Sequence, residues 1–426
     1  MSVVEIEEEA LMSYRNGIIL GGFLLMALNL SCGDPVGPTP PDPITELPRA
    51  LTPSEKIVIA SSNTFGFDLL QEVDTQRESD QPNTILSPLS ASMALGMALE
   101  GAEGETFTEM QTALGFFGMT REEINSSYAG LLDLLLNLDP AVEILIANSA
   151  WSRLGFSFTS EYFDAITNSF QAVVQELDFD DPSSKDIINQ WVNEQTNGRI
   201  EEIIEGISPL DILFLINAVY FKGDWTTQFK KGDTHQAPFY LEDGSTVSVP
   251  MMSGDIRDAG FGWLEGGRVV AELPYGGQAF GMVVILPGPE ETVDDLLTAL
   301  DDGAWTTWIE ALQFGEVMVR MPKFEMEWDG LFNDALKAMG MESAFQPFQA
   351  DFSRMTPAPD AHISAVRQKT YMRVDEEGTE AAAVTSVTVG ITSAGPGITI
   401  DRPYLLAIRE RLSGTILFLG TMRDPR

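Results

Sequence analysis

The side chains that most often carry out catalysis or bind metals are scarce in this sequence. Its 426 residues include two histidines, His235 and His362, and a single cysteine, Cys32. One cysteine rules out an internal disulfide and a metal site made of several thiolates. The sequence also contains no GxSxG, HExxH or GxxxxGKS/T motif. Such absences argue against a common serine hydrolase, a zinc protease or a nucleotide-binding enzyme.

Charge sets a further limit on function. The chain carries 25 basic and 64 acidic residues, a formal net charge of −39 at pH 7. No run of lysine or arginine interrupts this excess, so nucleic acid would be repelled and is not expected as a partner. The acidic surface fits either a high-salt habitat, where salt screens the self-repulsion, or a general requirement for solubility.

The most unusual segment lies between Val374 and Asp401. From Thr379 to Val389 it contains small residues followed by β-branched ones, with no proline and one charge. Every second residue from Thr379 onward is uncharged and the series becomes more apolar, as expected of the buried face of a β-strand. Yet an acidic stretch precedes this segment and a Gly-Pro-Gly sequence follows it. An ordinary strand is one interpretation, and a strand-like sequence with a special role is the other.

The first residues have the features of an export signal. Ile18–Leu30 is uncharged and too short to span a bilayer comfortably, but it has the length of a signal-peptide core. Arg15 supplies a positive flank, and the acidic residues near the N-terminus suggest that Met12 is the true start. Asn29-Leu30-Ser31-Cys32 resembles a bacterial lipobox, which predicts lipidation of Cys32, although its first residue fits poorly. Ordinary cleavage nearby is the alternative.

The prolines that follow predict an extended spacer. Six prolines between Asp34 and Pro48 favour an extended chain without helix or ladder hydrogen bonds. We therefore predict a signal segment over residues 1–32, a linker over 33–50 and one folded domain over 51–426. A tether followed by a stalk would place the protein outside the cytoplasm: extracellular, periplasmic or anchored to the outer membrane as a lipoprotein.

Local patterns in the folded part predict an α+β protein. Helix-capping boxes occur at Thr52–Glu55, Thr106–Glu109 and Thr120–Glu123, and Ser87-Pro88 opens a further helix. Long apolar runs without alternation predict strands in a sheet covered on both faces, at Val142–Ala150, Ile212–Phe221, Phe280–Leu286 and Val317–Met321. Tyr404–Arg409 and Thr415–Gly420 predict a hairpin.

Several segments, in their order along the chain, resemble the serpins, a family of protease inhibitors that trap their targets by a conformational change. The similarity extends over nearly all of residues 55–426. The segments that carry it are Asn83–Ser90 with Gly101–Thr106, Asn217–Trp225 continuing to Thr234, Pro322-Lys323-Phe324, Asp351-Phe352-Ser353, Glu376–Ala383 and Asp401-Arg402-Pro403-Tyr404. Together they identify the chain as a member of the family, of a bacterial inhibitory type.

The resemblance implies a fold, a mechanism and a partner. The serpin fold has a large central mixed β-sheet, further sheets, N-terminal helices and an exposed reactive loop in the C-terminal third, here at about residues 376–400. A serine protease, with a cysteine protease as a further option, attacks this loop as a substrate and forms an acyl-enzyme. The freed segment then inserts into the central sheet and distorts the protease. Such an inhibitor is not an enzyme, needs no catalytic residue, cofactor or metal, and is expected to be a monomer.

The resemblance also locates the hinge and the reactive bond. The hinge comprises Glu376, Glu377, Gly378, Thr379, Glu380, Ala381, Ala382 and Ala383. Counting fourteen residues after Gly378, or ten back from Pro403 to the residue after the bond, gives Thr392-Ser393 as the reactive bond. Ile391 and Ala394 are the neighbouring specificity residues, and a shift of one or two residues is left open. Small or β-branched residues argue against trypsin-like targets and favour elastase-like or subtilisin-like proteases.

A third set of residues is implied to control the opening of the sheet. Ser87, Ser90 and Asn217 would cross-link a helix and strands at the centre of the sheet by hydrogen bonds. Gln368 stands where most relatives are expected to have histidine, and it cannot titrate near neutral pH. Trp225, together with Glu376, would lie near the entry point of the loop. The alternatives are that Gln368 faces solvent and that Trp225 is plain core.

A serpin fold does not guarantee inhibition. The main alternative is a non-inhibitory member that acts as a binding or chaperone-like protein. Such members often have bulky, charged or proline residues in the hinge, and Thr379–Ala383 lacks these apart from Glu380, which the inhibitory pattern shares. An enzyme is a more remote alternative that would need His235 or His362 close to a nucleophile. We therefore predict inhibition, with membrane contact only through a lipid anchor.

Overall fold

A computed structural model describes residues 42–77, 81–379 and 397–426. The helices in these ranges are α1 (Pro53–Thr75), α2 (Pro88–Gly101), α3 (Gly104–Ala113), α4 (Arg121–Asn137), α5 (Ser160–Phe170), α6 (Ser183–Gln195), α7 (Val293–Ala299), α8 (Asp302–Glu310) and α9 (Asn333–Ala338). The strands are β1 (Thr84–Leu86), β2 (Val142–Arg153), β3 (Val173–Leu177), β4 (Leu213–Asp224), β5 (His235–Tyr240), β6 (Thr246–Trp263), β7 (Val269–Tyr275), β8 (Phe280–Leu286), β9 (Gln313–Pro322), β10 (Phe324–Leu331), β11 (Arg367–Val374), β12 (Gly378–Thr379), β13 (Gly397–Thr399), β14 (Tyr404–Glu410) and β15 (Ile416–Met422). This composition confirms the predicted α+β class.

Six strands form what we call the central sheet, in the order β10-β11-β12-β4-β2-β3. Neighbouring strands are antiparallel except β2 and β3, which are parallel, so the sheet is mixed, as predicted. Helix α2 packs against β4, and α6 packs against β2 and β4. These contacts put helices beside the strands that position the candidate site.

A second sheet has the order β1-β15-β14-β8-β7-β6-β9-β13, with β5 paired to β6. The predicted C-terminal hairpin is present, because β14 and β15 pair in antiparallel register from Tyr404 opposite Met422. Every residue of β7, β8, β14 and β15 is buried. This burial explains why these strands are mostly apolar rather than alternating, and the buried charges of Glu272 and Arg409 pair with each other at 2.8 Å.

Two of the three predicted capping boxes are confirmed. The Thr52 side chain accepts the Glu55 amide hydrogen at the start of α1 while the Glu55 carboxylate accepts that of Thr52, and the same reciprocal pattern opens α4. The box at Thr106 is wrong, because α3 begins two residues earlier, at Gly104. The Thr106 hydroxyl is buried instead, 3.0 Å from the Ser343 hydroxyl.

The predicted boundary between linker and domain is too late. Residues 42–50 form neither helix nor strand, and they lie on the folded body. The Ile44 amide donates to the Gly277 carbonyl oxygen at 2.7 Å. Arg49 donates two hydrogen bonds to the Glu55 carboxylate, at 2.8 and 2.6 Å. Ile44 also packs against the core, so this part of the linker adds burial as well as polar contacts.

The predicted signal segment and Cys32 lie outside the described residues. Across 42–77, 81–379 and 397–426, no helix has both the length and the apolar composition that a membrane crossing needs.

Candidate functional site: the hinge in the central sheet

The predicted hinge enters the central sheet between two of its strands. Gly378 and Thr379 form β12, which is antiparallel to both neighbours. Thr379 lies opposite Val374 of β11 and opposite Gly223 of β4. Among the described residues, no ladder joins β11 directly to β4, and β12 alone connects them. The sheet is therefore parted at this position, where an additional strand would enter.

Gly378 fits this position because it has no side chain. A Cβ atom at this residue would lie 2.1 Å from the carbonyl oxygen of Gly223 and 2.6 Å from the Cα atom of Asp224. Both obstacles are backbone atoms, which cannot rotate aside as a flexible side chain would. The close approach of the hinge to β4 thus requires glycine.

Thr379 places its side chain inside the protein. Its hydroxyl lies 2.6 Å from the hydroxyl of Tyr275, the last residue of β7, and both side chains are buried. The Tyr275 ring stacks on Trp225, with ring centroids 4.4 Å apart and planes 11° apart. Burial raises the pKa of Tyr275 above its ordinary value, so its hydroxyl stays neutral and keeps a proton to share with Thr379.

Trp225 holds the acidic stretch that precedes Gly378. Its indole N–H donates to the Asp375 carbonyl oxygen at 2.9 Å, and its backbone amide donates to the Glu377 carbonyl oxygen at 2.8 Å. The Phe229 amide donates to the Glu376 carbonyl oxygen at 2.8 Å. Trp225 is therefore both a core residue and a contact of the hinge, so the two interpretations of this residue do not exclude each other.

The three carboxylates of this stretch are buried, and each has polar partners. Glu376 forms an ion pair with Lys323 at 2.9 Å and accepts a hydrogen bond from the Thr234 hydroxyl at 2.8 Å. Glu377 forms an ion pair with Lys231. Asp375 accepts the Glu377 amide hydrogen at 2.9 Å and pairs with Arg373 at 3.2 Å. We call these three carboxylates, Gly378, Thr379 and their partners the hinge site.

Electrostatics at Glu376 favour its ionised form. Burial by itself would raise the pKa of this carboxyl, but the hydrogen bonds from Lys323 and Thr234 together outweigh burial and hold the pKa below its ordinary value. The pKa of Lys231 is raised, chiefly by its hydrogen bond to Glu377. The hinge site is thus held in place by charged groups at neutral pH.

A second set of contacts crosses the parted sheet further along the strands. The side-chain oxygen of Gln368, on β11, accepts the Ser87 amide hydrogen at 2.7 Å, and its nitrogen donates to the Ser87 carbonyl oxygen at 3.2 Å. Gln368 is buried, so the alternative that it faces solvent is wrong. Ser87 is also the residue that caps α2. The start of α2 is therefore fixed to β11.

The same helix is fixed to β4 and β2. The Ser90 hydroxyl donates to the side-chain oxygen of Asn217 on β4. The Asn217 side chain donates to that of Asn148 on β2 at 2.6 Å, and Asn148 donates to the Phe170 carbonyl oxygen at 2.7 Å. We call Ser87, Ser90, Asn148, Asn217 and Gln368 the central network. It connects the two strands, β11 and β4, that β12 separates.

Several predicted residues lie outside the described residues: Cys32, Glu380, Ala381, Ala382, Ala383, Ile391, Thr392, Ser393 and Ala394. Their roles stay predictions. The two histidines belong to neither set of contacts: His235 is exposed at the start of β5, and His362 lies beside the Asp360 carbonyl oxygen. In the part of the chain that the structure describes, no cluster of His, Cys, Asp and Glu has the arrangement of a metal site.

Sequence reasoning missed several partners of the hinge. Lys323 and Thr234 stood within or at the end of serpin-like segments, but no role was assigned to either. Tyr275 and Asn148 lay outside those segments. A buried tyrosine at the end of an apolar strand is a weak signal, since only the folded chain brings it 2.6 Å from a residue 104 positions away.

The comparisons with known proteins decide the family. The family model described as Serpin (serine protease inhibitor) matches residues 60–425. An uncharacterized serpin-like protein of Thermococcus kodakarensis is 36% identical over 386 residues, which cover 87% of each chain. This chain belongs to the serpin family. Members of the family are mostly protease inhibitors and are not enzymes, in agreement with the prediction that the chain is not an enzyme.

Solved structures confirm the serpin fold. The native state of a thermophilic serpin, tengpin, has a TM-score of 0.79 and 29% identity, covering 90% of this serpin and 97% of that chain. Human thyroxine-binding globulin in complex with thyroxine also has a TM-score of 0.79, with 27% identity and coverage of 87% and 99%. The second structure is of a hormone-binding protein, so the fold alone does not establish inhibition.

Proposed function

We propose that this serpin inhibits serine proteases as a suicide substrate whose loop inserts between β11 and β4. The observation that carries the proposal is the position of β12. Gly378 and Thr379 occupy the start of an additional strand, and the Thr379 side chain is already buried against Tyr275. Each further inserted residue could gain ladder hydrogen bonds, at about 1 kcal/mol net each. A gain repeated along the strand favours the inserted form, so the native form is held kinetically.

The reactive bond and the targets follow from the sequence. Cleavage is proposed at Thr392-Ser393, and threonine or isoleucine before the bond suits the small pockets of elastase-like or subtilisin-like proteases. Insertion up to Thr392 would complete a strand of fourteen residues from Thr379, which is already in place, with a length of roughly 45 Å at about 3.3 Å per residue.

The test is incubation with pancreatic elastase and with subtilisin, followed by a denaturing gel. We expect a heat-stable covalent adduct and a released fragment whose N-terminal sequence begins at Ser393. Thr379→Arg would have to bury a charge beside Tyr275, so this variant should be cleaved without forming the adduct. Thr399→Arg, an exposed threonine beyond the reactive bond, is the matched control and should form the adduct normally.

An unchanged adduct yield in Thr379→Arg would refute the insertion mechanism. Thermal melting before and after loop cleavage gives a second, independent measurement. Insertion predicts a marked rise in the melting temperature on cleavage. If the cleaved protein melts no higher than the intact one, a non-inhibitory binding role becomes the better explanation.

We also propose that the protein is exported and anchored by a lipid on Cys32, outside the cytoplasm. The support is the uncharged Ile18–Leu30 stretch, the lipobox-like residues before Cys32 and the proline-rich residues after it. Expression of the full chain in a bacterial host, with mass measurement of the mature N-terminus, tests this. Lipidated Cys32 should partition into detergent and Cys32→Ser should not. An unmodified N-terminus elsewhere would indicate ordinary secretion.

A further inference from the structure

Two arginines differ from the other arginines of the described ranges in having no side-chain partner there. In a chain with 64 acidic residues, the guanidinium groups of the described ranges are generally paired, as for Arg153 with Asp180, Arg268 with Glu291 and Arg354 with Glu100. For Arg257 and Arg320, no hydrogen bond, ion pair or ring contact of the side chain is found in these ranges. Both side chains are exposed.

The two arginines lie on the same face of the second sheet. Arg320 of β9 is opposite Ser253 of β6, and Asp255 is opposite Met318, two residues further along each strand. Because side chains alternate along a strand, Ser253 and Asp255 point to one side together with Arg320, and the exposed Arg257 follows the buried Ile256 at the start of a bulge. Arg257 follows Ser253 by four positions, so their Cα atoms are about 13 Å apart. A β-bulge lies directly beyond Ile256.

This face adjoins the place where the reactive loop rejoins the body. Thr399 of β13 is opposite Arg320 in the parallel ladder, so Arg320 lies between the end of the loop segment and β6. Ser393 and Gly397 are only four positions apart. They span at most about 15 Å even when fully extended. A protease bound at Thr392-Ser393 would therefore be held within about 15 Å of Gly397, which lies opposite Met318 at the edge of this face.

We propose that Arg257 and Arg320 form a docking site for carboxylates on the surface of the target protease, next to its active-site cleft. The proposal rests on the proposed function, in which a protease attacks this loop. Each guanidinium offers a planar set of donors that suits a carboxylate and is engaged by no group of the described fold. Asp255, Asp258 and Glu316 belong to the same region, but within the described ranges none of these carboxylates forms an ion pair with these arginines.

The remainder of the surface explains why such a site would matter. A net charge of −39 repels acidic regions of any partner. A protease with carboxylates around its cleft would be repelled by most of this acidic surface. Arg257 and Arg320, whose charges no ion pair of the described fold offsets, would repel it least. Charges at the rim of an interface act mainly on the association rate and its salt dependence. Among proteases that accept the same residues at the reactive bond, the site would favour those with carboxylates beside the active-site cleft.

The test compares association rates of the wild type and the double variant Arg257→Glu/Arg320→Glu with subtilisin and pancreatic elastase. For the protease that the site recognises, we expect the rate to fall about tenfold in the double variant at low salt, and the difference to become small at about 0.5 M NaCl. Arg257→Lys/Arg320→Lys keeps both charges and should retain most of the rate. Lys56→Glu, an exposed cation on α1, is the matched charge control.

Equal rates for the wild type and the double variant with both proteases at low salt would overturn the proposal. A binding measurement with each protease carrying alanine in place of its catalytic serine separates this result from failure of the proposed function, because docking needs no covalent step. Reversible binding weakened in the double variant supports the site even if no adduct forms.

Heparin acceleration that disappears in the double variant would assign the arginines to a polyanion instead and overturn the proposal. The melting temperature should not change, since neither side chain has a partner to lose.

Discussion

The hinge site and the central network hold the same two strands with different chemistry. At the hinge site, Glu376 and Glu377 are buried and paired with Lys323 and Lys231. In the central network, Ser87, Ser90, Asn148, Asn217 and Gln368 are all neutral, and their hydrogen bonds run from α2 to β11 and β4. The entrance to the parted sheet therefore depends on charge, while its centre depends on amides and hydroxyls.

Because of this difference, pH should affect the two regions unequally. Charged pairs hold their geometry only while both groups are ionised, so the hinge site responds to pH and to loss of one partner. Amide and hydroxyl hydrogen bonds do not titrate in the physiological range, so the central network should keep its strength from acid to neutral pH. Acid should therefore weaken the hinge site through Glu376 while α2 still joins β11 to β4.

The largest expected effect is the loss of Lys323. Lys323→Ala leaves the buried Glu376 carboxylate with Thr234 as its remaining side-chain partner. We expect the free energy of unfolding to fall by about 2–3 kcal/mol, less than the about 3–5 kcal/mol of a fully buried pair, because Lys323 is partly exposed. Denaturant unfolding measures this. Lys337→Ala, which breaks an exposed pair with Asp334, should cost no more than about 0.5 kcal/mol.

If Lys323→Ala and Lys337→Ala lower the free energy of unfolding by the same amount, the buried pair of Lys323 with Glu376 does not stabilise the hinge site. The double variant Lys323→Ala/Glu376→Gln gives a further check, because removing the unpaired charge should restore part of the lost stability.

Gly378→Ala should have the next largest effect, at the same hinge site. Its Cβ would collide with the Gly223 carbonyl oxygen, so β12 cannot keep its position and the Thr379–Tyr275 contact is lost. We expect a loss of about 2 kcal/mol in the free energy of unfolding and a lower adduct yield. In Gly397→Ala, at the other end of the loop, the nearest atom to the new Cβ is the Met318 carbonyl oxygen at 3.4 Å, an ordinary contact. Equal losses in the two variants would contradict the observed position of β12.

The sequence could predict interactions between residues that are close along the chain, but not contacts between residues that are far apart along it. The capping box at Thr52 involves residues three positions apart, and it placed the start of α1 correctly. The hydrogen bonds between Gln368 and Ser87 join residues 281 positions apart, so no local pattern contains them. The resemblance to serpins supplied that pair, and it supplied the hinge at Gly378 as well. It did not supply Tyr275, whose contact with Thr379 depends on how β7 packs against the central sheet in this chain.

Acid should weaken the hinge site through Glu376. The pKa of this carboxyl is depressed in the folded protein, so its stabilising contribution is fully present above the ordinary pKa of glutamate and is lost as the pH falls through the depressed value. Glu376→Gln should be less stable than the wild type at pH 7 by about 1 kcal/mol. Denaturant unfolding across this acid range should show the difference shrinking as the pH falls. A difference that stays constant would mean that Glu376 makes no charged contact in the fold.

The variant with the smallest expected effect tests the central network, whose side chains are neutral. Gln368→His would place a titratable ring where a neutral acceptor takes the Ser87 amide hydrogen. Protonation removes that acceptor and buries a charge, so the folded-state pKa of the new histidine should lie below its ordinary value of about 6.5. The stability it provides is then present above that value and lost as the pH falls. We expect the variant, relative to the wild type, to lose about 1 kcal/mol between about pH 7 and about pH 5.5. His235→Gln, which removes an exposed histidine, is the control and should leave the wild-type pH profile unchanged. If the stability of Gln368→His instead follows the wild-type pH profile, residue 368 does not hold β11 to α2. Charge would then not be the property that distinguishes the central network from the hinge site.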